Sequence, residues 1–261
     1  MSTVAAEHGH HEEVDFITQM HHNLNIWGLP EEPWHLGDIM VGSLHIPIEL
    51  NAATVFFTWV AMALTILIAL VAARGADVKR PGKMAAMFEL LFDFWRGLIN
   101  QSMDPKKGAH IFSLVVTFFL FLLMCNLVGL LPTGVAPTAD TQTTFAFAMI
   151  TFSMIFIMGI KYKGAKYFKH YLQPYPFFLP IVIIEDLAKP LTLAFRLFGN
   201  MKGKEIMILA LLGLITGTAH WAGGFLGNVI WLLFSIFVSA IQAFVFTILT
   251  VAYIGVAVDD H

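Results

Sequence analysis

Residues 177–217 read FFLPIVIIEDLAKPLTLAFRLFGNMKGKEIMILALLGLITG, and the way this stretch is folded decides the architecture of the chain. As a helix rising 1.5 Å per residue it would measure roughly 60 Å, about twice the hydrocarbon core of a bilayer. It must therefore be strongly tilted or broken, with Pro180 and Pro190 as candidate kinks. Its apolar background is interrupted by Glu185, Asp186, Lys189, Arg196, Lys202, Lys204 and Glu205. Burying an Arg at the bilayer centre costs at least about 2.5–3.5 kcal/mol, so such a concentration of charge needs a reason. Arg196 has no snorkelling exit within a turn or two, and its guanidinium cannot deprotonate near neutral pH, so it is a fixed positive charge.

On a helical wheel Glu185, Lys189, Thr192, Arg196 and Asn200 share one face, whereas Glu205, nine residues after Arg196, points about 180° away. Two polar routes thus approach Arg196 on different faces and from different ends of the span. Two offset half-channels separated by a fixed charge need this layout.

The rest of the chain supplies a membrane setting for that stretch. Of 261 residues, 57% are hydrophobic and 13% charged, and the mean hydropathy is +0.74, about half the charge of a soluble domain. The first basic residue is Arg74, after 73 residues that carry eight of the eighteen acids, which excludes an ordinary nucleic-acid binder. The lone Cys125 sits in an apolar run and offers neither a disulfide framework nor a Cys-based metal site. Residues 1–20 have no basic segment followed by an apolar one, so the start does not read as a cleavable signal peptide.

Charge-free stretches of membrane-spanning length divide the sequence. Residues 1–49 read as a polar extracytoplasmic segment and 50–74 as the first span. In 80–101, Glu89, Asp93, Arg96 and Asn100 line one helical face opposite Met87, Phe88, Leu91, Phe92, Trp95 and Leu98, the pattern of an interfacial amphipathic helix. Residues 108–131 and 140–160 are the second and third spans, 174–217 the long tilted helix with Arg196, and 225–257 a long tilted final helix without acidic or basic residues. The expectation is an all-α integral membrane protein with five crossing helices, the last two forming a hairpin. Arg74, Lys79, Arg80, Lys83, Lys106, Lys107 and the basic run from Lys161 to Lys169 fall on one side, predicting an outside N-terminus and a cytoplasmic C-terminus.

In the final helix Ser235, Ser239 and Gln242 are spaced four and three apart, a polar seam facing the preceding helix; interhelical hydrogen bonding alone would also account for the serines. Gly199-x-x-x-Gly203, Gly213-x-x-x-Gly217 and Gly223-x-x-x-Gly227 are read as packing. His8, His10, His11, His21, His22, His35 and His45 lie in the first 45 residues and read as a solvent-exposed tract rather than a metal site. With only His220 deep in the sequence, and that in a loop, there is no histidine pair for an intramembrane haem. No phosphate-binding glycine loop is present, so the sequence predicts no nucleotide hydrolysis, and no cofactor or metal is expected.

The run Lys189-Pro190-Leu191-Thr192-Leu193-Ala194-Phe195-Arg196-Leu197-Phe198-Gly199-Asn200-Met201, followed by Glu205, resembles subunit a of the F-type ATP synthase. Ile241-Gln242-Ala243-Phe244-Val245-Phe246-Thr247-Ile248-Leu249-Thr250 resembles the family's last helix, and Cys125-Asn126-Leu127-Val128-Gly129-Leu130-Leu131-Pro132 the end of its second span. The likeness covers roughly residues 35–261. It implies a non-catalytic stator channel in the bacterial inner membrane, beside the ring of c subunits, the b-subunit peripheral stalk and the remaining synthase subunits. Arg196 would face passing ring carboxylates. Glu205, with Asn200 and Gln242 near it, would line the outer half-channel, and Glu185 and Thr192 would border the inner one. Some family members carry a histidine where Ser235 stands and an aspartate where Gly129 stands, so Ser235, Ser239, water or other side chains would have to relay ions there. Protons and sodium ions both fit, since the coordinating carboxylate belongs to the ring. The alternative is a secondary ion-coupled transporter with a Pro-broken helix, which expects an internal repeat that the sequence lacks. A membrane metalloenzyme would need a ligand cluster that Glu185 and Asp186 alone do not provide.

Overall fold

The computed structural model describes residues 33–41, 44–75, 82–131, 135–164, 167, 177, 179–217 and 221–258; the side chains of residues 36–41, 44–49, 205, 208–217, 221–226 and 228 are outside that description. Ahead of the long helices the chain forms an antiparallel hairpin, β1 (Trp34–Val41) and β2 (Leu44–Leu50), with Trp34 opposite Leu50 and Val41 opposite Leu44. Leu44, Ile46, Ile48 and Leu50 alternate with His45, Pro47 and Glu49, the period of a strand. Pro47 is tolerated because both strands of a two-stranded ribbon are edges. The hairpin lies at the end of the polar segment 1–49, where the sequence reading predicted no strand.

Helix α1 (Ala52–Arg74) starts where Asn51 accepts a hydrogen bond from the Ala53 N–H, and ends at Gly75. Inside it, Thr58 and Thr65 donate their hydroxyls to the carbonyls of Thr54 and Ala61, which keeps both satisfied in apolar surroundings. Helix α2 (Lys83–Ser102) has three faces rather than two. Phe88, Trp95 and Ile99 are buried, Glu89, Asp93, Arg96 and Asn100 are exposed and polar, and Met87, Leu90 and Phe94 are exposed and apolar. Such a helix can touch protein, water and lipid at once, as an interfacial position requires. The one-turn α3 (Pro105–Gly108) follows, capped by Asp104 with Pro105 in its first turn.

Helix α4 (Phe112–Val128) and a 3-10 turn (Pro137–Ala139) lead into α5 (Thr141–Lys163). Asp140 caps the start of α5, and Gly164, at φ 57°, ends it just after Lys161 and Lys163, cations favourable to the helix C-terminus. Helix α6 (Leu179–Gly217) has 39 residues and α7 (Trp221–Val258) has 38. Pro190 lies within α6 without ending it, so the overlong stretch is one helix and must be accommodated by tilt.

By length and apolar composition α1, α5 and residues 229–258 of α7 can cross a membrane. The 17-residue α4 reaches the lower limit, and α6 is more than long enough. Among the described residues, three long apolar helices of spanning length and the shorter apolar α4 make up, with α2 and α6, an all-α membrane architecture to which the β-hairpin is an appendage.

Three apolar clusters hold the bundle. Trp95 and Ile99 of α2 pack with Val115 of α4, Ile155 of α5 and Val251 and Ile254 of α7. Phe118 and Leu122 of α4 meet Phe147 of α5, Leu193 and Leu197 of α6, and Ala243 and Phe246 of α7. Phe57 and Ala61 fasten α1 to Cys125 and Val128 of α4. The docking of α2 on α7 depends on Gly255, where an added Cβ would lie 2.7 Å from the Ser102 carbonyl oxygen. Gly255→Val is expected to destabilise the packed chain by about 1–3 kcal/mol through overpacking. Gly97→Ala, at a helix-interior position with nothing within 4 Å, should leave the thermal midpoint of the purified complex unchanged or slightly raise it while Gly255→Val lowers it.

Candidate functional site

Helix α6 turns Leu193, Ala194, Leu197 and Met201 into the core, which sends its polar residues to the flank and outer surface. On the exposed side lie Glu185, Thr192, Arg196 and Asn200. Around them Ile184, Leu187, Leu191 and Phe195 are also exposed, so the polar groups sit in an apolar surface. Lys189 is held by Asp186 at 2.6 Å, with Glu185 at 3.8 Å, and the Thr192 hydroxyl donates to the Lys189 carbonyl at 2.9 Å. The Lys189 ammonium is therefore compensated within α6, and the two carboxylates leave this end of the stripe negative. Arg196 differs: among the described residues it forms no ion pair or hydrogen bond, so a carboxylate partner within the chain is not found there.

Beyond Arg196 the polar groups turn from the surface toward α7. Asn200 donates from Nδ2 to Gln242 Oε1 at 2.7 Å. One turn further, Lys204 is buried and donates from Nζ to Ser239 Oγ at 2.8 Å, with the Ser235 carbonyl oxygen 3.5 Å away. The Ser239 hydroxyl in turn donates to that carbonyl at 2.7 Å. Steps of four residues on α6 and three on α7 keep the two links in register between antiparallel helices. The Ser235 hydroxyl and the Gln242 amide nitrogen are buried with no hydrogen-bond partner among the described residues.

A third helix reaches the same place. Asn126 of α4, fully buried, donates from Nδ2 to the Ser239 carbonyl at 3.2 Å and accepts at Oδ1 from the Thr138 hydroxyl at 2.8 Å. Close by, a Cβ at Gly129 would run into Ala136, so the position has no room for a larger side chain.

The structure thus gathers the buried Gln242, Ser235 and Ser239 into one cluster, reached from the surface by Asn200, and leaves Glu185 and Thr192 on a separate, exposed stretch, with Arg196 between the two. The backbone of Glu205 follows Lys204 in α6, but its side chain lies outside the described residues, as do the histidines before residue 33. Lys204, Asn126 and Thr138 were missed as members of the cluster. Lys204 lies four residues after Asn200 and so shares its face, a signal present in the sequence. Thr138 carried none, since only the return of its loop over α4 brings it to Asn126.

A family description reading "ATP synthase A chain" matches residues 55–255, from α1 almost to the end of α7. The chain belongs to the ATP synthase A chain family. It is 39% identical to the ATP synthase subunit a of Desulforamulus reducens, over 96% of this chain and 94% of the relative. Subunit a of Bacillus subtilis is 36% identical over 81% of this chain and 94% of its own length, and that of Moorella thermoacetica 35% over 89% and 98%. In this ATP synthase A chain the matched region holds every residue of the cluster, whereas the β-hairpin lies ahead of it.

Proposed function

We propose that this chain is the non-catalytic, ion-conducting stator subunit of the membrane sector of an F-type ATP synthase, working with the other synthase subunits. The observation that carries the reading is Arg196, uncompensated among the described residues, on an apolar outward face between two separate polar stations. An intramembrane cation is costly unless it meets a partner's charge. A rotating ring of carboxylates, one passing at a time, is such a partner, and the exposed Ile184, Leu187, Leu191 and Phe195 suit an apolar ring surface.

The outer half-channel runs between α6 and α7 past Lys204, Ser239, Ser235, Asn200 and Gln242, and Glu205, next to Lys204 in sequence, is its proposed carboxylate. Buried polar atoms without partners among the described residues, here Ser235 Oγ and Gln242 Nε2, favour a wet passage, because water would satisfy both. The inner half-channel opens near Glu185 and Thr192. Entering ions, protons or sodium ions, neutralise a ring carboxylate, which can then move into lipid where a charged one could not. After nearly a full turn the carboxylate reaches the inner half-channel, loses its ion and is drawn to Arg196. The positive charge repels cations from the direct route between the half-channels, so flux requires rotation. A membrane potential supplies about 2.3 kcal/mol per charge per 100 mV to this cycle.

The basic flanks Arg74, Lys83, Lys106, Lys107, Lys161 and Lys163 support a cytoplasmic side at the α1–α2, α2–α4 and α5–α6 connections and an outside N-terminus in a bacterial inner membrane. The peripheral-stalk b subunit is the second expected neighbour. A tag on this chain should co-purify a ring of small two-helix subunits, and a cysteine replacing Phe195 should cross-link to that ring. Isolation of the chain alone, or as a self-contained transporter, would refute the assignment.

A further inference from the structure

The polar cluster of the outer half-channel extends beyond α6 and α7, the two helices on which the reading above rests. Lys204 Nζ meets Ser239 Oγ at 2.8 Å, Asn126 Nδ2 meets the Ser239 carbonyl at 3.2 Å, and Thr138 Oγ1 meets Asn126 Oδ1 at 2.8 Å. We infer that Asn126 and Thr138 are positioning residues of the outer half-channel, forming its third wall and fixing Ser239, and through it the Lys204 ammonium, in register.

The geometry gives Asn126 no other task. Its amide is 1% exposed and spends a donor on a helix carbonyl that α7 already uses, while its oxygen is occupied by a threonine that is itself 0% exposed. Packing needs neither hydrogen bond, since a leucine fills nearly the same space without requiring polar partners. What the pair achieves is directional. Thr138 sets the orientation of the Asn126 amide, the amide pins α7 at Ser239, and the pinned turn presents Ser239 Oγ and the Ser235 carbonyl to Lys204. Thr138 belongs to the turn Pro137–Ala139 between α4 and α5, on the side that the basic flanks assign to the outside, so the chain of contacts runs inward from the outer surface. Lys204 is the one charged side chain of the described residues in these contacts.

The test uses the whole synthase in membrane vesicles and reads passive proton conduction after removal of the soluble catalytic sector. Thr138→Val keeps the shape and deletes the hydroxyl, and should slow conduction about tenfold, the kinetic equivalent of one lost buried hydrogen bond. Thr138→Ser deletes the methyl, keeps the hydroxyl and should conduct as the parent does. A packing role demands the reverse order, so a tolerated Val with a defective Ser overturns the inference. Asn126→Leu should slow conduction similarly, and in a Lys204→Met background it should add nothing; independent, multiplicative effects would also overturn it. Should Asn126→Leu fail to assemble, the Thr138 pair still decides. Glu205→Gln is the control for the underlying reading. If it blocks conduction while Thr138→Val does not slow it, the third-wall inference alone fails; if Glu205→Gln conducts normally, the outer half-channel assignment fails with it.

Discussion

Arg196→Ala is expected to abolish ATP synthesis driven by an ion gradient, with a loss of at least about a hundredfold, while the complex still assembles. Assembly survives because Arg196 is exposed and forms no bond among the described residues, so its removal leaves no buried group unpaired. Truncation even removes a charge that costs at least about 2.5–3.5 kcal/mol at the bilayer centre. Coupling fails for two separate reasons. A carboxylate at the inner half-channel has no fixed cation to favour its ionised form, and the direct passage between half-channels loses the like charge that repels ions. The second reason predicts a sign that simple inactivation does not: passive leak through the membrane sector should rise. Rates of ATP synthesis and of dye-reported proton leak in inverted vesicles measure both. Normal ATP-driven pumping by the variant would refute the assignment of Arg196. Arg196→Lys tests geometry at constant charge, and should remain poor because an ammonium lacks the planar fork that meets a carboxylate with two bonds.

The parts of the fold set by burial in lipid were legible from the residues. Helices α1, α4, α5 and α7 follow from apolar runs of spanning length, and α2 from the spacing of Glu89, Asp93, Arg96 and Asn100. The hairpin was also legible, in the alternation from Leu44 to Leu50, but the histidines and prolines around it drew attention to composition instead of period. For the site, one-helix geometry carried the reading to Arg196 and Asn200, and the seam Ser235, Ser239, Gln242 was visible as a period. Which α6 residue meets which α7 residue was not visible, because that depends on the offset of two helices joined by a turn. The offset pairs Asn200 with Gln242 and Lys204 with Ser239. Counting Lys204 merely as one of seven charges hid its difference from Arg196: one cation points out of the chain and the other into it.

That difference makes Lys204→Met the second large expected effect, with function and stability moving apart. Met matches the length and apolar stem of Lys and cannot form the contacts to Ser239 Oγ and the Ser235 carbonyl. Replacing a buried charge by an apolar side chain of similar volume is often neutral or stabilising, so the heat stability of the assembled synthase should be unchanged or higher. The Ser239 hydroxyl stays satisfied through its bond to Ser235, so no new orphan donor is created. Ion passage should nevertheless fall at least about tenfold, because the ammonium supplies the donor that organises the polar path one turn beyond Asn200 and Gln242. Lys204 lies eight residues after Arg196, about 12 Å along the helix, far enough that the Arg196 charge itself is untouched. The variant should therefore slow both ATP-driven pumping and passive conduction without the increased leak expected of Arg196→Ala. A structural lysine would give the opposite pattern, with poor assembly and normal conduction per assembled complex, and the two are separated by measuring vesicle proton flux against the amount of intact synthase.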